Sequence, residues 1–315
     1  MKLGVYLFTQ SNFNPDKRFP ILADRVKMFD EFGLDSLWIS DGLTAGPNPD
    51  EYPHYETLSL ISALSQHSTK IDFGTLVSPF TLRPVSLFSK MITTLDHITK
   101  GRIIAGIGVG NASQLENMQG IRGLPLPERI EEFENYLISL KSIFEGKSTS
   151  NENLNLSDYS ANPPTYNQKG IKILVAGNGE RKTLRQVAKY ADMSNIGGDN
   201  KIITKKLDVL ASWCDKEGRK FEDIENTTIR AIVTGSTQGQ IDEDIKWYKN
   251  RFDQLGRPIP SKEQFVKDRF VGTVDQVVNQ IAELNDIGIS HVILTINTEN
   301  TRNVLDKVYE GVKSL

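Results

Sequence analysis

The stretch best suited to holding a charged ligand is Ile173-Leu174-Val175-Ala176-Gly177-Asn178-Gly179-Glu180-Arg181-Lys182-Thr183-Leu184-Arg185. An apolar, strand-like run passes into Gly177, Asn178 and Gly179 and then straight into a helical pattern. Glycines let a backbone come close to a ligand, and the free N–H groups of a first helical turn point at it, which is how phosphate is cradled. Arg181 stands where a guanidinium can pair bidentately with a phosphate. The competing reading is a plain βα turn in which Glu180 complements the helix dipole and Arg181 is solvated. The spacing fits both.

A second cluster, Gly106-Ile107-Gly108-Val109-Gly110-Asn111, invites a dinucleotide reading but lacks the Rossmann spacing, because the required third glycine falls on Asn111 or Ser113. Small residues there leave room for a flat ligand beside a barrel strand. A third segment, Gly74-Thr75-Leu76-Val77-Ser78-Pro79-Phe80-Thr81-Leu82-Arg83-Pro84, ends a strand in a proline-framed connection and reads by itself as a rigid loop. The histidines His54, His67, His97 and His291 show no metal-ligand spacing, and Cys214 is the single cysteine. His97 reads as a helix-end residue and His291 as structural. His54, in Tyr52-Pro53-His54-Tyr55, is the acid/base candidate because it follows a strand end. No Ser/His/Asp or Cys/His set can be assembled, which suits an enzyme whose cofactor carries the chemistry.

Short apolar runs alternate with helical patterns along the chain, the signature of a parallel sheet wrapped in helices. Strands are expected at Leu3 to Phe8, Ser36 to Ser40, Phe73 to Val77, Ile103 to Ile107, Ile173 to Ala176, Met193 to Ile196, Thr228 to Thr234 and His291 to Ile296. Among the helices between them, Arg18 to Glu31 is closed by Gly33, Pro84 to Ile98 has proline in its first turn, and Thr273 to Ile287 opens on a Thr273/Gln276 capping box with Gly288 closing it; Asn300 to Leu315 is last. The expected fold is α/β, a single (β/α)₈ TIM barrel over residues 1–315, with a doubly wound open sheet as the alternative. Polar insertions at about 145–170 and 256–270 exceed ordinary connections and are candidate lids.

A chain of 315 residues, 38% hydrophobic and 24% charged, can bury a large core without disulfide or metal staples. Its net charge of -3 gives no basic field for nucleic acid. The opening residues lack a signal-peptide layout and no apolar run approaches a membrane span, so a cytoplasmic protein without membrane partners is expected.

In the order of its segments the chain resembles the luciferase-like monooxygenases, in particular the branch of coenzyme F420-dependent oxidoreductases. The resemblance runs through Gly33-Leu34-Asp35-Ser36-Leu37-Trp38-Ile39-Ser40-Asp41, the Gly74–Pro84 segment, Thr94-Leu95-Asp96, Gly101-Arg102 and Gly106–Gly110. It continues through Gly177–Arg185, Ala188-Lys189-Tyr190-Ala191-Asp192, Val271–Val277 and Gly288-Ile289-Ser290-His291-Val292. It implies a (β/α)₈ barrel with a cofactor at the C-terminal rim. Asp41 would belong to the cofactor pocket; Leu76, Val77 and Ser78 would form a bulge behind the cofactor ring, with a non-proline cis peptide at Leu76-Val77 or beside it. Gly108, Gly110 and Asn111 would line the strand-four side, and Gly177, Asn178, Gly179, Glu180 and Arg181 would hold the phosphate-bearing tail. Gly42 follows Asp41 where many F420-using relatives have histidine, and Asn111 replaces a large residue, so FMN stays open beside the favoured F420.

The implied function is electron or hydride transfer between a flavin-type ring, F420 or reduced FMN, and a small organic substrate, in a chain that could form a homodimer. Two alternatives remain: a flavin-binding barrel without turnover, and a phosphate-handling isomerase or aldolase, which would need Lys or Glu at an inward strand end.

Overall fold

A computed structural model describes residues 1–9, 14–43, 54–110, 120–121, 123–235, 237–254, 258–296 and 301–314. In chain order come β1 (Lys2–Tyr6), α1 (Pro15–Phe32), β2 (Ser36–Ile39), α2 (Thr57–Leu64), β3 (Asp72–Thr75), β4 (Ser78–Pro79), α3 (Val85–Thr99) and β5 (Ile103–Gly108). Then follow α4 (Leu126–Phe144), β6 (Thr149–Asn151), β7 (Leu156–Tyr159), β8 (Lys172–Ala176), α5 (Thr183–Tyr190), β9 (Met193–Asn195), α6 (Asn200–Glu217) and β10 (Glu225–Thr234). The last elements are α7 (Gln238–Gln254), α8 (Lys262–Lys267), β11 (Arg269–Gly272), α9 (Val274–Asp286), β12 (His291–Thr295) and α10 (Thr301–Lys313).

Strands β1, β2, β3, β5, β8, β9, β10 and β12 pair in parallel around a closed ring, because β10 bonds to β9 at Glu225–Thr227 and to β12 at Thr227–Ala231. These are the strands expected from the sequence, and the open-sheet alternative is excluded by that closure. Alternate residues face the barrel axis. Trp38, Ile104, Leu174, Met193 and Ile293 fill its middle. The Trp38 indole explains a glycine: a Cβ on Gly74 would lie 2.4 Å from its Cζ3. At the N-terminal end of the strands the interior is polar: Trp38 Nε1 donates to Ser36 Oγ (2.6 Å), Ser36 Oγ meets His291 Nε2 (2.8 Å), and His291 Nδ1 meets Glu225 Oε1 (2.9 Å). His291 is thus structural, as its strand-start position suggested.

Local signals set the helix ends. Asn14 caps α1 and Gly33 closes it with φ 74°; Thr273 and Gln276 form the expected capping box of α9. Pro84 stands just before α3 rather than inside its first turn.

The third strand breaks where the resemblance implied a bulge with a cis peptide: β3 stops at Thr75, the Leu76–Val77 peptide is cis, and pairing resumes in β4. The insertion at 145–170 is no lid. It joins the C-terminus of α4 to the start of β8 and folds as the antiparallel β6–β7 hairpin, followed by a segment laid along α3. Tyr159 donates to the Ser86 carbonyl (3.0 Å), Tyr166 N to Asp96 (2.7 Å), and His97 Nε2 meets the Pro164 carbonyl (2.8 Å). The second insertion does stand at the rim. There β11 pairs with the part of β10 that runs past the barrel, Ala231–Thr234, and Val233, Ile241, Tyr248 and Phe265 form a small apolar cluster between α7, α8 and β10.

Candidate active site

The C-terminal ends of the strands gather the residues singled out above. Asp41, just past β2, is buried, and its carboxylate is fully engaged. Ser78 Oγ donates to Oδ2 (2.6 Å), while Arg83 Nη1 donates to Oδ2 (2.6 Å) and Nη2 to Oδ1 (3.3 Å). Arg83 Nη2 also reaches Glu56 Oε1 (2.6 Å), whose carboxylate caps α2 at Leu58 and Ser59. Burial alone would lower the Arg83 pKa, but Asp41 and Glu56 outweigh it and raise it. Burial likewise works against the Glu56 carboxylate, and the bonds from Ser59, Arg83 and Leu58 hold it below its usual value. Asp41 and Ser78, given separate places in the cofactor pocket by the resemblance, meet here, and Asp41 forms with Arg83 an ion pair that anchors the rim. Arg83 and Glu56 carry the other half of it. The sequence signal for Arg83 lay inside the segment read as a rigid loop.

The bulge and the next strand fit each other closely. A Cβ on Gly106 would sit 1.7 Å from the Thr75 carbonyl oxygen, and one on Gly108 2.8 Å from Val77 Cγ2. Leu76 and Val77 are half-buried against the interior cluster of Trp38 and Leu174. Gly110 has φ 76°; Asn111 lies outside the described residues.

Gly177, with φ 137°, ends β8 and donates to the Asn195 carbonyl (3.1 Å). Asn178 ties this turn to the one after β9: Nδ2 donates to the Gly197 carbonyl (2.7 Å) and Oδ1 accepts from Gly197 N (3.1 Å). A Cβ on Gly179 would approach Thr183 Oγ1 to 2.7 Å. The side chains of Glu180 and Arg181 go elsewhere. Glu180 is paired with Lys206 (2.8 Å) and Lys205 (3.1 Å) on α6, and Arg181 is exposed in a groove with Lys182, Arg185 and Trp213 on the helical layer.

Sequence reasoning did not single out one buried cation, on α4. Arg129 is 5% exposed, and its Nε and Nη1 have no hydrogen-bond partner among the described residues. It continues the buried face of α4 one turn rimward of Phe133, whose ring packs on Phe80 at 5.5 Å. In a β/α unit the N-terminal turn of the helix lies at the C-terminal end of the strands. Arg129 is thus at the rim end of the α4 face that packs, through Phe133 and Tyr136, on Phe80 in the turn after β4. Gln186 of α5 bonds to the adjacent Ile130 carbonyl (3.0 Å) and fixes that end of α4. A charged residue on an apolar helical face at position 129 was the available signal.

His54 stands beside the Glu56 cap of α2, half-buried, with Nδ1 donating to the Tyr55 carbonyl (2.6 Å) and Nε2 left as the acceptor in the neutral ring. The inward rim positions Tyr6, Leu76, Ala176, Asn195, Ile229, Ala231 and Thr295 include no Lys or Glu; Lys2, Lys172 and Glu225 lie at the other end of the barrel. No group of metal-ligating side chains occurs among the described residues, nor any helix long and apolar enough to cross a membrane.

A family model for the luciferase-like monooxygenases matches residues 1–291. The chain belongs to the luciferase-like monooxygenase family. Within reach of this luciferase-like chain, a phthiodiolone/phenolphthiodiolone dimycocerosates ketoreductase of Mycobacterium bovis is 23% identical over 83% of the chain and 84% of the relative. An F420-dependent glucose-6-phosphate dehydrogenase of Kineococcus radiotolerans is 26% identical over 81% and 69%. In fold the chain is similar to an F420-dependent secondary alcohol dehydrogenase solved with an F420-acetone adduct, at a TM-score of 0.81 and 13% identity, covering 99% of this chain and 98% of the other. The resemblance read from the sequence motifs and the TIM-barrel architecture both hold.

Proposed function

We propose that this luciferase-like protein is an oxidoreductase that transfers a hydride between F420 and a small organic substrate, with reduced FMN as the alternative cofactor. The observation that carries the reading is Arg129: a buried guanidinium near the N-terminal end of α4, with Nε and Nη1 unpartnered among the described residues, fits the phosphate of a flavin-type cofactor. Buried N–H groups without partners are costly, and an anionic ligand would satisfy them. F420 is favoured over FMN by the F420-dependent relative in sequence.

The residues divide the work. Gly177, Asn178 and Gly179 would present backbone and a fixed turn to the phosphate while Arg129 supplies the charge. Leu76 and Val77 would back the ring, and Gly108 would leave space for it. When bound, the cofactor supplies or accepts the hydride. Asp41, Ser78, Arg83 and Glu56 would keep the rim rigid around it, and His54 Nε2 would exchange a proton with the substrate oxygen.

Titration of purified protein with F420 and with FMN, followed in the visible spectrum, tests the reading; F420 is expected to bind in the micromolar range or tighter. Turnover of the bound cofactor with a reducible substrate separates an enzyme from a flavin-binding barrel. Binding of neither cofactor would refute the proposal.

A further inference from the structure

Across the barrel from the glycine turns, the rim is built of aromatic and aliphatic side chains. In the ring of strands β5 and β8 lie opposite the β12–β1 pair. On that far arc Tyr6 meets Phe8 edge-on at 5.2 Å, and Phe8 meets Trp247 at 6.2 Å. Trp247 is held there by its neighbour, since Tyr248 donates to the Thr295 carbonyl at the end of β12 (2.8 Å). Ile229, Ala231 and Thr295 complete the arc, and these three with Tyr6, Phe8 and Trp247 are half-buried, whereas Trp38, Leu174 and Ile293 deeper in the barrel are fully buried. No charged side chain occupies an inward rim position among the described residues. The charged interior groups Lys2, Asp72, Lys172 and Glu225 are a barrel length away, around a polar cavity at the N-terminal end.

We propose that the substrate presents an uncharged, predominantly apolar body to Tyr6, Phe8, Trp247 and Ile229, and that phosphorylated or otherwise anionic small molecules are poor ligands of the substrate side. Apolar surface is matched by apolar surface, while an anion placed against this arc would lose its water and gain no counter-charge. The inference rests on the cofactor reading only in assigning the glycine-lined arc to the cofactor.

Calorimetric titration with cyclopentanol, cyclohexanol and cyclooctanol, and with glucose 6-phosphate, tests it on protein saturated with whichever of F420 or FMN it binds, or on the protein alone if it binds neither. Affinity is expected to rise about fourfold per added methylene, with glucose 6-phosphate weaker than cyclooctanol. Trp247→Ala should weaken cyclooctanol about tenfold. Because Trp247 packs edge-on to Tyr248 at 4.9 Å and its loss could unsettle α7, Phe8→Leu serves as a second variant and should also flatten the series. A flat series in the wild type, tighter binding of glucose 6-phosphate, or unchanged cyclooctanol affinity in the folded variants would overturn the proposal. A graded series in a protein that binds neither cofactor would instead remove the cofactor reading and leave the apolar mouth standing.

Discussion

Replacing Arg129 with methionine should stabilise the cofactor-free protein and weaken cofactor binding, and these opposite signs distinguish a ligand-binding arginine from a structural one. The guanidinium is 5% exposed, with Nε and Nη1 unpartnered among the described residues. Methionine keeps an unbranched stem of similar length on the buried face of α4 while removing the charge. Exchanging a poorly compensated buried charge for an apolar side chain is expected to add about 1–3 kcal/mol to stability. For a chain of this size that is a rise in Tm of about 2–6 °C. Binding should move the other way. Loss of one charge-assisted contact costs about 1.5–3 kcal/mol, hence about ten- to a hundredfold in Kd. At saturating cofactor the wild type gains binding stabilisation that the variant largely lacks, so the order of melting temperatures should invert. The control is Arg181→Ala, whose exposed side chain lines the outer groove with Trp213 and should leave cofactor affinity near that of the wild type. Spectroscopic titration and thermal melts with and without cofactor provide all four numbers. If Arg129→Met melts lower without cofactor and binds it normally, the arginine is structural. If Arg181→Ala shows the larger loss, the cation of the tail site is the one in the glycine loop.

Asp41→Asn should destabilise the protein by about 3 kcal/mol in a denaturant titration, because it strands the buried Arg83 guanidinium with only the partly exposed Glu56; a change within error would show that the rim does not depend on the pair. Gly106→Ala should abolish cofactor binding or folding, since its Cβ would overlap the Thr75 carbonyl oxygen, whereas Gly146→Ala, with nothing near its Cβ but φ 75°, should cost stability alone. Equal behaviour of the two would count against the close fit of β5 to the bulge. Acid stability should depend on Glu225, whose pKa falls from 4.5 to about 2: burial raises it, but the bonds from His291 and Lys2 prevail. The folded state holds this proton less tightly than the unfolded state, so the contribution, about 3 kcal/mol, is present above pH 4.5 and lost as pH falls towards 2. Glu225→Gln should flatten that acid limb in melts between pH 2 and 5; an unchanged limb would place the acid-labile interaction elsewhere.

The barrel was legible because its strands are buried on both faces and read as unbroken apolar runs, as in Ile173–Val175 and Val292–Leu294. The elements that escaped lack that signal. The β6–β7 hairpin is made of Thr-Ser-Asn and Leu-Ser-Asp-Tyr, in which Leu156 alone is buried, and β11 is a four-residue strand paired only beyond the barrel. At the site, motifs located the glycine turns because their function needs a missing side chain, which is visible residue by residue. They also pointed to Arg181, adjacent in sequence, whose side chain is exposed, whereas the buried Arg129 stands on another helix. Adjacency along the chain is a weak guide to which side chain turns inward; the helical phase of Arg129, in step with Phe133 and Leu140, is a better guide to its burial.

The break in the third strand joins the two halves of the site. Because pairing stops at Thr75 and resumes at Ser78, the Thr75 carbonyl turns towards β5 and only a glycine can stand at position 106. The same break displaces Ser78, so that its hydroxyl reaches Asp41 at the end of β2, and Arg83, brought back by the short turn after β4, closes the pair and reaches on to Glu56 at the head of α2. Tyr136 of α4 then donates to the Arg83 carbonyl (3.2 Å), on the helix that also carries Arg129. The glycine face proposed to take the cofactor ring and the arginine proposed to take its phosphate are thereby referenced to one rigid rim. On the proposed reading Asp41, expected as a ligand-contacting residue, would act on the cofactor through that rim, by fixing where Val77 and α4 stand.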